Sequence, residues 1–371
     1  MKIGIPIFDL VNTIHLSGVE KYTYNLLVNM IKLDSNNNFI IYQGFRQEPG
    51  RFSEFKTRRV IQRFLPRQMR AIAFGMDRLN ILHLPVYFDN IPYLKNGKNI
   101  LTIHDLVPLF NPEISMEGLS DYYNRLKNEL YKIDMFIAVS EHTKKDIMKY
   151  LDVPEYKIRV IYEAADESYK PVKDHSGIKK KYGLDKFILS VGTLEPRKNI
   201  PNLIKAFGKL NRRDYKLVIT GKKGWKYEEI FRLVESLGLG DRIKFLGYIL
   251  DEELPALYSA AELFVYPSLY EGFGLPPLEA MACGTPVIVS NRSSLPEVVG
   301  DAGILIDPED TDGIAEAMEK ILQQPSLRKE LSEKGLQQAK KFSWSKCASE
   351  TIELYKQIYL QNQSISDINP C

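Results

Sequence analysis

Cysteine is scarce: Cys283, Cys347 and Cys371 are odd in number and widely spaced, with no CxxC or Cys/His zinc pattern. A disulfide framework is thereby excluded, and a reducing, cytoplasmic setting is expected. Long apolar runs are missing as well. The longest are of strand length, and after Met1-Lys2 only six uncharged residues precede Asp9, so neither a membrane span nor a signal peptide is expected. No excess of one charge stands out, since the net value of +3 is too small to imply nucleic acid. Neither G-x-G-x-x-G nor a GK[ST] loop occurs, which argues against dinucleotide dehydrogenases and P-loop ATPases. No metal-binding Asp-x-Asp string is expected, nor any short-period repeat.

What is present is an ordinary globular composition, 44% apolar and 26% charged, spread over 371 residues. That length exceeds what one hydrophobic core organises, so two domains are expected. Strand-length apolar runs at Lys2 to Phe8, Asn38 to Tyr42, Asn80 to Leu84, Asn99 to His104, Met135 to Val139 and Arg159 to Tyr162 alternate with helical stretches. Among these are Tyr22 to Met30, an amphipathic Met116 to Ile133, and Glu141 to Tyr150 capped by Ser140. Ser17-Gly-Val-Glu20 has the form of a capping box. After a linker at Glu163 to Lys173 the alternation resumes, with strands near Phe187 to Val191, Lys216 to Thr220, Ile243 to Leu246, Leu263 to Tyr266, Val287 to Val289 and Ile304 to Ile306. Alternation of this kind predicts parallel βαβ packing, hence two doubly wound α/β domains over residues 1–172 and 173–342. A helix from Trp344 to Leu360 follows, and the polar residues from Gln361 to Cys371 are expected to fray.

Between Arg46 and Arg78 nine basic side chains (Arg46, Arg51, Lys56, Arg58, Arg59, Arg63, Arg67, Arg70, Arg78) outnumber three acidic ones and interleave with apolar residues such as Phe64, Met69 and Ile72. A helical segment so composed suits an anionic membrane surface. Equally, it suits a solvated face whose apolar side packs on the sheet.

The most informative stretch is Glu262 to Ser290, ELFVYPSLYEGFGLPPLEAMACGTPVIVS. A strand ends at Pro267, Gly272 and Gly274 free the following loop, Pro276 and Pro277 suit a helix's first turn, and Gly284 stops that helix. A glycine loop opening into a helix beyond a strand's carboxyl end favours a phosphate. Glu271 at the loop's start and Glu279 in the helix's first turn are placed to address opposite ends of a ligand whose phosphates lie between them. As bland alternatives, Glu279 complements the helix dipole and Glu271 is a solvated acid. Arg197 and Lys198 are adjacent cations at another strand-to-helix turn, fit to neutralise a diphosphate or merely to decorate a surface loop.

The whole string from Glu271-Gly-Phe-Gly-Leu through Glu279-Ala-Met-Ala-Cys-Gly-Thr-Pro-Val resembles the signature of glycosyltransferase family 4, retaining enzymes of the GT-B fold. SGVEKYTYNLL, HDLVPLFNPE, VGTLEPRKN and the GKKGW loop extend the resemblance over nearly the whole chain. It implies two Rossmann-like domains facing a cleft, with the C-terminal helix, residues 343–360, crossing back to the first. It also implies that Glu271 contacts the donor sugar, that Glu279 holds the ribose, and that amides around Phe273, Gly274 and Leu275 meet the sugar and diphosphate. Gly18 would approach the donor phosphate, and Tyr248 would contact the base. By the same resemblance His104 stabilises or positions the reacting sugar, while Lys198 and Arg197 grip the phosphates. Thr193 stands where many members carry arginine, a loss for which Arg197 is expected to compensate. His15, His83, His142 and His175 are left structural.

The expectation is therefore a retaining, metal-independent transferase without cofactor, moving a hexose, first of all mannose from GDP-mannose, to a glycan or lipid-linked acceptor in surface polysaccharide synthesis. Nucleic acid is not an expected partner; a peripheral contact with the inner face of the membrane is. The alternatives are a GT-B epimerase or hydrolase and a non-catalytic sugar-nucleotide-binding protein.

Overall fold

The computed structural model describes residues 1–8, 18–34, 36–44, 60–65, 69–88, 91–115 and 118–368. Its chain divides into two compact units. One comprises Met1–Leu109, Gly118–Glu163 and Trp344–Cys371; the other comprises Phe110–Glu117 and Ala164–Ser343.

The first unit is built on seven parallel strands: β1 (Lys2–Phe8), β2 (Asn38–Gly44), β3 (Val60–Leu65), β4 (Ile81–Leu84), β5 (Lys98–Ile103), β6 (Met135–Ala138) and β7 (Ile158–Val160), in the order β3-β2-β1-β4-β5-β6-β7. Ile3, Ile5, Ile40, Ile81, Leu82, Ile100 and Leu101 are buried, as expected of strands covered on both faces. Across this sheet runs a buried hydrogen-bonded chain. Tyr22 Oη and Thr102 Oγ1 are 3.0 Å apart, His83 Nε2 and Thr102 Oγ1 2.8 Å, and His83 Nδ1 and Tyr355 Oη 2.5 Å. It ties the helix Gly18–Leu33, β5, β4 and the helix Trp344–Ile368 together, so the C-terminal helix belongs to the first unit. Burial pushes the His83 imidazole down to about 3, and it stays neutral, a structural histidine.

Three expectations are corrected here. Val60–Leu65, inside the basic segment, is a strand pairing with β2 and not part of a helix. Gln62 and Arg63 interrupt its apolar run, so it lacks the signature of a buried strand. Arg63 is ion-paired to Asp77 at 2.8 Å, whose other oxygen accepts from Tyr42 Oη at 2.8 Å. Met116 to Ile133 is broken: within its described part a helix spans Leu119–Lys127 and a 3-10 turn spans Leu130–Lys132. The C-terminal helix runs on to Ile368 instead of ending near Leu360. Ser140 caps its helix as expected, accepting from Thr143 N at 3.0 Å, whereas Ser17 and most of the basic segment, from Arg46 to Arg59 and at Arg67, lie outside the described residues.

The second unit carries six parallel strands: β8 (Lys186–Val191), β9 (Tyr215–Thr220), β10 (Ile243–Gly247), β11 (Leu263–Tyr266), β12 (Val287–Ser290) and β13 (Gly303–Ile306), in the order β10-β9-β8-β11-β12-β13. The strand order reverses between β8 and β11, which are neighbours through Leu263–Ile188 and Phe264–Leu189. Loops leaving such neighbouring strands diverge to opposite faces, and the crevice at their carboxyl ends is where open α/β sheets take ligands. Both informative motifs leave the sheet at this point, VGTLEPRKN from β8 and PSLYEGFG from β11.

Candidate functional site

The β8 and β11 loops are tied to one another by side-chain and backbone hydrogen bonds. Pro196–Lys198 forms a 3-10 turn closed by Asn199, whose left-handed backbone (φ 54°) starts the helix Ile200–Lys209. Asn199 Nδ2 donates to Pro267 O at 3.1 Å and Pro308 O at 2.6 Å. The Arg197 carbonyl accepts from Leu269 N at 2.8 Å and lies 3.0 Å from Ser268 Oγ. On the other side, Ser294 Oγ lies 2.9 Å from Glu271 O and 2.6 Å from Phe273 O, and Glu271 N donates to Ser293 Oγ at 2.9 Å.

At the centre stands Glu271, buried and surrounded by donors. Lys198 Nζ donates to Oε1 at 2.6 Å and Arg197 Nη1 to Oε2 at 2.8 Å, while Ser268 Oγ and Tyr266 Oη reach Oε1 at 2.6 and 2.9 Å. Lys198 also donates to Tyr266 Oη at 2.5 Å, and Arg197 Nη2 pairs with Glu195 at 2.8 Å. Burial alone would raise the Glu271 carboxyl, but the Arg197 and Lys198 charges and the bonds from Lys198 and Ser268 hold it down at about 2. Lys198 is shifted down by burial and by Arg197, against the pull of Glu271 and Glu195. Glu271 is thus no solvated loop acid. The two cations expected to face a diphosphate are instead turned onto carboxylates.

The helix opened by the glycine loop runs Leu275–Ala282 with Gly274 as its cap at φ 116°, a conformation that favours glycine. Glu279 consequently lies a full turn inside the helix, not in its first turn, because the helix begins one residue before the prolines. It is buried and accepts from Tyr258 Oη at 3.0 Å, which removes the simple dipole explanation. Pro276 and Pro277 carry no N–H, and Leu278 N reaches back to Gly274 O at 3.4 Å. The donors at this helix start are therefore fewer than its dipole suggests, and Leu275 is the first of them. Phe273 is buried, its ring 5.7 Å from that of Phe342.

Thr193 and the GKKGW loop form a second shelf. Leu194 N donates to Lys222 O at 2.8 Å and Gly224 N to Leu194 O at 3.1 Å, extending the β8–β9 pairing beyond the sheet. The approach is so close that a Cβ on Gly221 (φ 149°) would fall 1.9 Å from Gly192 O. Tyr248, half-buried after β10, receives Lys222 Nζ over its ring at 5.4 Å. Arg197, expected to compensate for Thr193, is bound to Glu195 and Glu271.

In the first unit, Gly18 opens its helix, and a Cβ there would meet nothing within 4 Å. His104 follows β5 with both ring nitrogens engaged, Nδ1 2.9 Å from Glu163 Oε1 and Nε2 2.9 Å from Pro85 O. Two acceptors require both nitrogens to carry hydrogen, the imidazolium form. Burial opposes that charge, but the bond to Glu163 and its charge, the Pro85 carbonyl and Asp105 outweigh it and hold the pKa above the ordinary 6.5. The Tyr22 ring meets the imidazole edge-on at 4.8 Å.

An Asp-x-Asp string does occur, Asp310-Thr311-Asp312, and it is a helix cap: Asp310 accepts from Asp312 N and Gly313 N. Asp312 pairs with Lys209 at 2.6 Å. Among the described residues no cluster of three His, Cys, Asp or Glu side chains is arranged to hold a metal, and no helix is long and apolar enough to cross a membrane. Reading the motifs did not single out Glu195, Asn199, Tyr258, Tyr266, Ser268, Ser293 or Ser294. Glu195 and Asn199 lie within VGTLEPRKN, and Tyr266 and Ser268 within the Glu262 to Ser290 stretch, but the others are revealed only by the fold.

Residues 172–338 match the family described as Glycosyl transferases group 1, and residues 16–169 match Glycosyltransferase Family 4. O-antigen chain mannosyltransferase B of Escherichia coli is 40% identical over 284 residues, 74% of each chain. The chain belongs to glycosyltransferase family 4. Another relative, the serotype-specific mannosyltransferase WbdA of Escherichia coli, is 37% identical over 288 residues, 74% of this chain but 35% of that one. The crystal structure of Anabaena HepE in complex with UDP and glucose superposes with a TM-score of 0.77 at 18% identity, covering 96% of this chain and all of that one, and shares the GT-B fold. This family 4 member is a glycosyltransferase.

Because Glu163 lifts the His104 pKa, the stabilisation from their pairing is complete below pH 6.5 and is lost as pH rises through the higher folded value. In an NMR titration His104 is expected to have its midpoint above 6.5 in the parent chain, and below 6.5 in Glu163→Gln, where burial is no longer outweighed. Equal midpoints in the two proteins would contradict this pairing.

Proposed function

We propose that this glycosyltransferase moves a hexose, mannose in the first instance, from a nucleoside-diphosphate sugar such as GDP-mannose to a glycan acceptor in surface polysaccharide synthesis, with retention of configuration. The observation that carries the reading is the buried Glu271 with Arg197 and Lys198 at the reversal of strand order in the second unit. Mannose and polysaccharide are favoured by the 40% identical O-antigen mannosyltransferase, and a transferase over an epimerase, hydrolase or mere binder by the same relative.

In this reading the diphosphate lies against Arg197, Lys198 and the amides at Gly274 and Leu275, which stabilise negative charge as the leaving group departs. Glu271 then faces the sugar as it gains oxocarbenium character, Glu279 holds the ribose, and Phe273 closes the apolar side of the loop. Thr193 and the Gly221-to-Trp225 shelf lie towards the base, with Tyr248 as its side-chain contact. Gly18 is read as a close approach to the phosphate, and His104 as a charged group that stabilises or positions the sugar. Two side-chain cations and a helix start take the role of a divalent ion, so no metal or cofactor is invoked.

A peripheral contact with an anionic membrane surface is part of the proposal, suited to a lipid-linked acceptor. Its support is the helix Arg70–Asp77, where Ile72 and Met76 are 60% and 77% exposed beside Met69 and the exposed Arg78. Arg63 is committed to Asp77 and contributes less free charge than its place in the sequence suggests.

Three experiments test these readings. Glu279→Ala is expected chiefly to raise the donor KM. Glu271→Gln is expected to lower kcat by roughly a hundredfold or more, the loss associated with one preorganised electrostatic group. Chelator should leave the parent rate nearly unchanged. Normal turnover by Glu271→Gln, or activity lost in chelator and restored by magnesium, would refute the site assignment. For the membrane, binding to anionic liposomes should fall with salt, and Arg58→Glu with Arg59→Glu should weaken it at least tenfold, at ~1 kcal/mol per basic residue. Ile72→Ser with Met76→Ser should weaken it as well. Equal binding to anionic and neutral liposomes would remove this part of the proposal.

A further inference from the structure

The cluster around Glu271 contains two cations, Arg197 and Lys198, and two carboxylates, Glu195 and Glu271, each within 2.8 Å of a partner of opposite sign. The charges of the four cancel. Side-chain exposures of 10% for Glu271, 11% for Lys198 and 19% for Arg197 place the pairs largely out of water, where an ion pair is screened little by salt and is not a loose surface contact. A diphosphate approaching these cations meets groups already satisfied and must take them from a carboxylate that competes with it for the same N–H donors.

We infer that Glu271 is a charge gate: it holds Arg197 and Lys198 while no diphosphate is bound, yields them to the incoming donor, and reclaims them as the nucleoside diphosphate leaves. The inference rests on the proposed placement of the diphosphate at Arg197 and Lys198, but assigns Glu271 a task separate from its action on the sugar. Geometry gives the gate its means. Tyr266 and Ser268 bond to the same carboxylate oxygen that Lys198 uses, so that oxygen keeps two neutral donors when Lys198 turns away. Glu195 retains a claim on the far side of the Arg197 guanidinium and limits how far that side chain swings. A buried carboxylate left without its cations would be costly, so the hydroxyls and the transferred sugar's own hydroxyl groups are what make the exchange feasible. The outcome is a trade: the site binds the bare diphosphate less tightly than its two cations alone would, and product release is hastened.

The probe is inorganic pyrophosphate, titrated calorimetrically into the full chain. Glu271→Gln keeps the shape but removes the competing charge, and is expected to bind pyrophosphate about tenfold more tightly than the parent, although it transfers sugar more slowly. Glu195→Gln, which removes the other carboxylate on Arg197, is expected to tighten binding in smaller measure. It carries the test if Glu271→Gln does not keep the parent unfolding transition. Lys198→Gln is expected to weaken binding. If Lys198→Gln weakens it while Glu271→Gln and Glu195→Gln bind no more tightly than the parent, the gate is overturned and the placement of the diphosphate stands. If Lys198→Gln has no effect, the placement fails and the gate with it.

Discussion

A carboxylate buried between a lysine and an arginine is the constraint on which the second unit's site depends. Isolated, Glu271 would be driven to its neutral form; with Arg197, Lys198, Ser268 and Tyr266 around it, it remains charged. Its partners come from two loops that leave adjacent parallel strands, and the ion pairs join what the reversal of strand order separates. Removing one member of such a buried pair typically costs about 3–5 kcal/mol. The same contacts that prepare the site for chemistry therefore also hold its two loops in register.

Around this centre the backbone is fixed by small polar side chains rather than by packing alone. Asn199 bonds to Pro267 and Pro308, Ser294 to the carbonyls of Glu271 and Phe273, and Ser293 takes the Glu271 amide. Asn199 and Ser293 both adopt positive φ, at 54° and 55°, a strained choice for residues other than glycine that is sustained by these bonds. A site that must present charges to a phosphate gains from such preorganisation, because the groups need not be gathered at the moment of reaction. In the first unit His104 is fixed in a similar manner by Glu163 and Pro85.

Much of this was legible in the residues. Strand-length apolar runs located twelve of the thirteen strands found among the described residues, within a few positions, since parallel strands buried on both faces write themselves as unbroken apolar runs. The missed strand, β3, lies at the sheet's edge and carries Gln62 and Arg63, so it lacks that signature. For the site, the family string located Glu271, Glu279, Arg197 and Lys198 in one unit, but not that Glu271 would be the cations' partner, because a contact between positions more than seventy residues apart leaves no local pattern. Tyr266 was visible only as the last residue of a strand and Tyr258 only as an apolar helix residue, although each bonds to one of the two carboxylates. The helix start was misplaced for a different reason: two prolines suggested it, yet the left-handed Gly274 sets it one residue earlier.

The central claim is that the donor's diphosphate sits on Arg197, Lys198 and the start of the helix Leu275–Ala282. A crystal structure of the chain with a nucleoside diphosphate bound tests it most directly. The account predicts phosphate oxygens within hydrogen-bonding distance of Lys198 Nζ, the Arg197 guanidinium and the Leu275 amide, with Lys198 drawn away from Glu271. Phosphates bound elsewhere, with both cations still on Glu271, would contradict it.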